Sequence, residues 1–339
     1  MRARDGLIFS PDGCYFKAAQ ANTRQRWGCK GETPPVALGC RPHSSFGNAT
    51  AVSQYVGPLL TFEIYKILLA AKDSGVAAVQ CSLDLGRSQT RVALHADDWQ
   101  WHDCRYPYPA VCKDRTIYYW ATDQFEAAAR FSTALIKLVP TAWGPPTFEI
   151  DGIKMLPTAQ VSPYADAQRK VGLIQPQGKV VLDTCGGLGY FAAWCLQGGA
   201  LRVQSFEKNP DVIWLRSLNP WSPDHTDTQG AAGNLTLTQG DVVEQIQMLA
   251  NASVDAILHD PPRFGIAGEL YSQDFYHQLA RVIRPKGRLF HYTGAPNKLT
   301  SRRDVPNEVA TRLQRAGFST ELNGDGVLAV RKISAPSPR

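Results

Sequence analysis

In the second half of the chain, short apolar segments alternate with glycine-rich turns and with segments of helical periodicity. Four apolar segments predict strands: 179–183, 202–206, 235–238 and 254–259. The first runs into the turn 184–189, and a helical segment follows it directly. Strands that alternate with helices are typical of a parallel sheet with crossover helices. We therefore predict an α/β domain, and we place it over residues 161–332.

The pattern before residue 161 predicts a smaller mixed α+β domain over residues 51–160. A helix is expected near 58–72, and strands are expected between residues 77 and 94. Residues 124–137 have apolar positions at a helical spacing, which predicts a second helix. Residues 147–156 predict a hairpin, because Asp and Gly at its centre tolerate the positive φ angles of a two-residue turn.

Composition adds boundaries and excludes some classes of function. Residues 1–50 lack apolar periodicity and predict a loop-rich extension, and residues 333–339 a tail. The longest apolar stretch, 59–71, is shorter than the roughly 20 residues that span a bilayer, so no membrane partner is expected. The eight cysteines form no CxxC pair, and no convergent cluster predicts a metal. Without a secretory leader pattern, we expect reduced thiols and a cytoplasmic location.

The turn after the first predicted strand is a candidate cofactor loop. Its candidate binding residues are Asp183, Cys185, Gly187 and Gly189. Glycine allows close approach of the backbone, and the free N–H groups of the next helix favour a carboxylate. Glu207 follows Gly189 by 18 residues at the end of the next strand, where an acidic side chain can accept both hydroxyls of a ribose.

The order of polar groups at the strand ends resembles that of class I S-adenosylmethionine-dependent methyltransferases. The first motif is 181–189, and three positions match the later motifs: Glu207, Gly240 with Asp241, and Asp260 with Pro261 and Pro262. The resemblance implies a Rossmann-like fold with S-adenosyl-L-methionine as co-substrate. NAD is disfavoured because the turn is not GxGxxG. The segments 148–171 and 259–294 are similar to a group of predicted archaeal-type methyltransferases of unassigned substrate.

In such enzymes, the segment from Asp260 to Arg263 lies where the cofactor's sulfonium points. Asp260 is our first candidate for orienting an amine and taking its proton. Arg263 stands where amino-methylating relatives have an aromatic residue, and 291–296 contains no cysteine nucleophile of the uracil-5 methyltransferase type. Further candidates are Tyr164 and Asp166 as a cover over the cofactor, His259 and His291 at strand ends, and Phe264, Tyr190 and Tyr292 as rings facing the sulfonium.

Three functions stay open at this point. The first is methyl transfer to nitrogen or oxygen of a small or medium-sized acceptor. The second is aminopropyl or aminocarboxypropyl transfer, or cofactor cyclisation, because 268–276 partly resembles polyamine aminopropyltransferases and a sulfonium has three breakable carbon bonds. The third is an RNA-docking module, for which residues 1–50 carry seven basic against three acidic residues. We favour a small-molecule acceptor over nucleic acid, and the oligomeric state stays unknown.

Overall fold

The computed structural model describes residues 55–223, 234–294 and 304–333. The extension predicted over 1–50 and all but the first residue of the tail 333–339 lie outside these residues. All described residues belong to one compact unit. The predicted boundary at residue 160 falls inside that unit and stays a prediction.

The part of the chain before residue 161 combines one helix with small antiparallel sheets. Helix α1 (Phe62–Asp73) begins after Thr61, whose hydroxyl accepts a hydrogen bond from the Ile64 N–H and so caps the first turn. The strands are β1 (Leu59–Leu60), β2 (Ala78–Cys81), β3 (Thr90–Leu94), β4 (Asp98–Trp101), β5 (Cys104–Pro107), β6 (Tyr118–Ala121), β7 (Gln124–Ala127), β8 (Ala129–Phe131), β9 (Leu135–Val139), β10 (Thr147–Ile150) and β11 (Ile153–Lys154). The sheets have the orders β1-β6-β7, β2-β3-β4-β5 and β11-β10-β9-β8.

The helix predicted over 124–137 is wrong, because this segment forms β7, β8 and the start of β9. The chain passes from one sheet to another at Ala128, which is buried and donates its N–H to the carbonyl of Ile117. That passage shifts the two-residue alternation of the strands by one position. The apolar residues on either side then imitate a helical spacing.

The predicted hairpin is confirmed in β10 and β11. Ile150 pairs with Ile153 across the turn. Asp151 and Gly152 have φ values of 47° and 79°, as a two-residue turn of this kind requires. This hairpin lies over the cavity described below, so its turn chemistry matters for the site.

The rest of the described chain forms a seven-stranded sheet covered by helices on both faces. The strands are β12 (Val180–Asp183), β13 (Arg202–Glu207), β14 (Leu235–Gln239), β15 (Val254–His259), β16 (Ile283–Tyr292), β17 (Phe318–Asn323) and β18 (Gly326–Arg331). The helices are α2 (Pro163–Ile174), α3 (Tyr190–Gln197), α4 (Pro210–Leu218), α5 (Val242–Gln245), α6 (Gln273–Val282) and α7 (Val305–Arg315).

The sheet order is β14-β13-β12-β15-β16-β18-β17, and only β18 runs antiparallel to its neighbours. Val181 packs in a core with α2, α3 and α4, whereas Leu182 packs in a second core with α6 and α7. Adjacent residues of one strand are thus buried on opposite faces, which is why β12 is apolar up to its last residue, Asp183. The predicted α/β, Rossmann-like fold class is confirmed.

The strand order reverses on either side of β12, whose neighbours are β13 and β15. In open α/β sheets, ligands bind outside the carboxyl ends of the strands at such a reversal. The strands β12, β13, β14 and β15 are followed or ended there by Asp183, Glu207, Asp241 and Asp260. The fold therefore gathers the predicted site residues at one edge.

Candidate functional site

A cavity of about 1010 Å³ lies at this edge. Its volume is at the upper end of the ~300–1,000 Å³ typical of small-molecule pockets, which leaves room for two reactants. The loop after β12, together with Glu207, Asp241 and Asp260, lines one side. The hairpin β10–β11 and residues 155–159 line the other side.

The glycine-rich loop has the conformation that only glycine adopts without strain. Gly187 and Gly189 have φ values of 48° and 81°, whereas Cys185 keeps a negative φ. Cys185 therefore carries its side chain without backbone strain. Cys185 and Gly187 line the cavity, and burial raises the pKa of the Cys185 thiol well above its usual range. A thiol with a raised pKa is protonated at neutral pH and is therefore a poor nucleophile.

Glu207 joins the loop to the end of β13. Its carboxylate accepts hydrogen bonds from the N–H groups of Gly187 at 2.9 Å and Asn209 at 2.8 Å. Burial raises its pKa, and these backbone donors oppose the rise. A carboxylate offers about four lone-pair directions, so Glu207 keeps capacity for ribose hydroxyls. The glycine loop and this carboxylate fit the nucleoside expected from the sequence.

Asp241 has two partners at the cavity wall. It caps α5 by accepting a hydrogen bond from the Val243 N–H, and it pairs with the exposed Lys208 at 2.8 Å. The hydrogen bond from Lys208 and that from Val243 lower its pKa against the effect of burial. Asp241 is therefore ionised beside the cavity, at the position expected of a cofactor-binding carboxylate.

Asp183 lies beneath the glycine loop and is absent from the cavity wall. It is 1% exposed and accepts a hydrogen bond from the Ser205 hydroxyl at 2.8 Å. Burial raises its pKa to about 6. Arg216 of α4 lies close by and is equally buried, with its guanidinium against Gly189. Asp183 can therefore support the loop but does not touch a ligand in the cavity.

The acceptor end of the cavity holds a buried charge cluster around Lys170. The Lys170 ammonium is 2.9 Å from Asp166 and 3.1 Å from Asp260, and it lies 3.7 Å from the ring centroid of Tyr292. Burial lowers the pKa of Lys170, but the two carboxylates outweigh burial and raise it. For Asp260, burial raises the pKa and Lys170 opposes the rise. The cluster places an oriented carboxylate beside the cavity.

The Tyr271 side chain positions the segment after Asp260. The Tyr271 hydroxyl donates to the carbonyl of Pro262 at 3.1 Å, and the Tyr271 ring meets Phe264 edge to face. Pro261 is buried, whereas Arg263 is exposed at the cavity mouth. Arg263 therefore faces entering ligands and does not take the place of a stacked aromatic ring.

The two candidate histidines are structural. His259 contacts the Thr184 hydroxyl at 2.7 Å and the Leu270 carbonyl at 3.1 Å, and burial lowers its pKa to about 4. His291 contacts the Tyr276 hydroxyl at 2.9 Å, and burial also lowers its pKa. Burial keeps both rings neutral, and neither ring lines the cavity.

Tyr164 does not reach the cavity. Its ring packs against Trp194 and Tyr190, and its hydroxyl accepts a hydrogen bond from Gln197 at 2.7 Å. The expectation that Tyr164 covers the cofactor is therefore corrected. Tyr164 faces α3, and Asp166, two residues later in the same helix, lines the cavity instead. The hairpin β10–β11 covers the cavity instead. Its residue Phe148 lies over the glycine loop, because a Cβ built on Gly187 would be 3.7 Å from the Phe148 ring.

Lys170 and Arg216 were missed from the sequence, although each left a signal. Asp166 and Lys170 are four residues apart in α2, so they share one face. That face also carries the buried residues Ala167 and Val171. Charged residues on an apolar face are rarely buried without partners. Arg216 likewise interrupts the largely apolar helix α4.

No group of three or more metal-ligand side chains is placed to hold a metal within 55–223, 234–294 and 304–333. Over the same residues, every helix is too short or too polar to cross a bilayer. Cys81, Cys112, Cys185 and Cys195 have free thiols.

Comparison with known proteins bears on the same part of the chain. A family model described as S-adenosyl-L-methionine-dependent methyltransferase matches residues 209–303. The uncharacterized protein MJ1233 of Methanocaldococcus jannaschii is 40% identical over 226 residues, which cover 65% of this chain and 76% of that protein.

Two polyamine enzymes are also similar. Polyamine aminopropyltransferase 2 of Streptomyces coelicolor is 30% identical over 117 residues, which cover 34% of this chain but only 21% of that protein. A spermidine synthase solved with a transition-state analogue superposes with a TM-score of 0.46 and 15% identity, over 61% of this chain and 73% of that one. Neither match covers enough, at sufficient similarity, to assign a reaction.

Proposed function

Since this chain belongs to the family of S-adenosyl-L-methionine-dependent methyltransferases, with S-adenosyl-L-methionine as its co-substrate, we propose that it methylates a nitrogen or oxygen of a small or medium-sized acceptor. One observation carries the proposal. The ionisable Asp260 shares a cavity of about 1010 Å³ with the glycine loop and Glu207. A proton acceptor and a nucleoside site therefore face the same space.

Binding of the co-substrate is assigned to the loop and two carboxylates. Gly187 and Cys185 would contact its amino-acid part, and Glu207 would accept hydrogen bonds from its ribose hydroxyls. Asp241 at the next strand end would bound the base. Of the predicted set, Gly189 lines the cavity with Arg216 behind it, whereas Asp183 would support the loop from beneath.

When bound, S-adenosyl-L-methionine supplies a sulfonium methyl carbon whose bond to sulfur breaks as the bond to the acceptor forms, with the electron pair left on sulfur. Asp260 orients the acceptor N–H or O–H and takes the released proton. Lys170 contacts Asp260 at 3.1 Å and is a positioning residue, since it keeps this carboxylate ionised and fixes its direction. Asp166 holds the other side of Lys170.

The products test the proposal. The purified chain is incubated with S-adenosyl-L-methionine and a panel of amines and hydroxylated small molecules. Formation of S-adenosylhomocysteine with a methylated acceptor supports methyl transfer. Formation of methylthioadenosine without S-adenosylhomocysteine contradicts it.

Asp260, which follows β15, and Asp255, which lies in β15, provide a matched pair of variants. Asp260→Asn is expected to lower turnover by about 10²–10⁴-fold, the range for loss of a general base. Asp255 lies at the opposite end of β15, where it pairs with Arg284, so Asp255→Asn should keep turnover. Equal turnover in the two variants would exclude Asp260 from the reaction.

A second candidate is aminopropyl or aminocarboxypropyl transfer, or cyclisation, at the same sulfonium. The 117-residue match to an aminopropyltransferase favours it, together with the hairpin over the cavity. The same assay distinguishes it, because each of these reactions releases methylthioadenosine. Decarboxylated S-adenosylmethionine is run in parallel, since aminopropyl transfer requires it.

A further inference from the structure

A buried cation lies directly behind the glycine loop. Arg216 is 1% exposed. Its Nε, Nη1 and Nη2 have no hydrogen-bond partner among the described residues. Buried guanidinium groups are normally paired, so this arrangement needs a physical explanation that packing alone does not supply.

The guanidinium faces the loop from below. A Cβ at Gly189 would lie 2.5 Å from its Cζ, and one at Gly186 would lie 3.4 Å from its Nη1. Gly189 immediately precedes α3, whose N-terminus is capped by no side chain of the described residues. The free N–H groups of that helix end and the Arg216 charge therefore act on the same side of the cavity.

Arg216 carries its charge at neutral pH. Burial lowers its pKa to about 10, and the carboxylates of Asp183 and Glu207 oppose that shift. Asp183 accepts a hydrogen bond from Ser205 through Oδ2, whereas its buried Oδ1 has no hydrogen-bond partner among the described residues. Glu207 accepts hydrogen bonds from the N–H groups of Gly187 and Asn209. The positive charge is thus offset at a distance and is not cancelled by contact.

We infer that Arg216 makes the glycine loop select nucleosides that carry a carboxylate on the amino-acid side chain over those that lack it. This inference rests on the proposed binding of S-adenosyl-L-methionine in the cavity. Arg216 is a positioning residue in this role, because the loop separates it from the ligand. A decarboxylated sulfonium, with one negative charge fewer, would be bound weakly.

Three thioethers separate the contributions to binding. S-adenosylhomocysteine carries both amine and carboxylate, S-adenosyl-3-thiopropylamine lacks only the carboxylate, and methylthioadenosine lacks both. Their dissociation constants are measured by calorimetry with the full chain. The wild type should bind S-adenosylhomocysteine at least about ten-fold more tightly than the thiopropylamine, as expected for an anion at a charged helix N-terminus.

Two substitutions isolate the charge. Arg216→Met should reduce the preference for the carboxylate by about ten-fold while methylthioadenosine affinity stays within about two-fold, which also reports an intact fold. Arg216→Lys should keep most of the preference. An unchanged preference in Arg216→Met would overturn the inference. If no thioether binds to the wild type, the proposed function fails first.

Salt dependence in the wild type tests the inference without a substitution. A buried charge is screened little, so the preference should persist from about 50 mM to about 500 mM salt. Exposed cations also line the cavity, among them Arg263 and Lys208, whose side chain is 69% exposed. A preference that disappears with salt would assign the selection to exposed charge and overturn the role of Arg216.

Discussion

Removing the buried ammonium of Lys170 should destabilise the protein much more than removing an exposed one. In Lys170→Met the side chain keeps nearly its length, but Asp166 and Asp260 lose their shared cation. Lys170 is 1% exposed, and the two carboxylates are 7% and 17% exposed. Water therefore cannot solvate the Asp166 carboxylate in place of the lost ammonium, and it can solvate the Asp260 carboxylate only partly.

The expected loss of stability follows from the buried charge that remains when one partner of an ion pair is removed. Breaking a buried pair from one side typically costs about 3–5 kcal/mol, because the remaining charge is buried and uncompensated. Arg169 still contacts Asp166 at 2.9 Å, which places the expected loss near 3 kcal/mol, at the lower end of that range. The pKa of Asp260 should rise further, so the acidic limb of the activity profile should move to higher pH.

Lys66 provides the control. It pairs with Glu63 one turn earlier at 2.9 Å and lies over the Phe62 ring, but the side chains of the pair are 51% and 73% exposed. Lys66→Met should cost no more than about 1 kcal/mol. Urea unfolding of both variants gives the two free energies. A loss for Lys170→Met within about 0.5 kcal/mol of the Lys66→Met loss would refute the reasoning.

Two other predictions concern the loop and the buried histidines. Gly189→Ala should lose about 1–2 kcal/mol of stability because residue 189 has a left-handed φ, and more because its new Cβ would overlap Arg216. Gly152 has a similar φ of 79°, but a Cβ there would have no atom within 4 Å, so Gly152→Ala is the control. Equal losses in thermal unfolding would show that Arg216 does not fill that space. His259 has its pKa lowered to about 4, so the unfolded chain binds more protons between pH 4 and 6.5, and stability should fall there by up to about 3 kcal/mol as pH drops. His259→Gln should flatten this pH dependence in urea titrations, and an unchanged slope would assign it to other groups.

The parts of the fold that follow local rules were predictable from the sequence. The glycine turn, the strand that precedes it and the Asp151–Gly152 hairpin each depend on residues adjacent in the chain. The strand ends bearing Glu207 and Asp260 were found for the same reason, since carboxyl ends of parallel strands share one edge.

The failures arise where distant segments decide the outcome. Residues 124–137 have an apolar spacing that suits a helix, but Ala128 pairs with Ile117 on one side and Leu138 on the other, which no local pattern reveals. Tyr164 and Asp166 are both in the first turns of α2, and only the packing of α3 decides which of them faces the cavity. The roles of Lys170 and Arg216 depend on Asp260 and on Gly189, which only the fold brings next to them.

The hairpin β10–β11, which roofs the cavity, and the residues Asp166 and Lys170 of its charge cluster belong to one continuous stretch of chain. Residues 155–162 join the hairpin β10–β11 to α2, and a fully extended chain of that length reaches at most about 28 Å. The roof is therefore a tethered element that cannot drift far from Lys170 and Asp166. Exchange of a large acceptor must occur within the reach of this tether, which sets an upper limit on how wide the entrance can become.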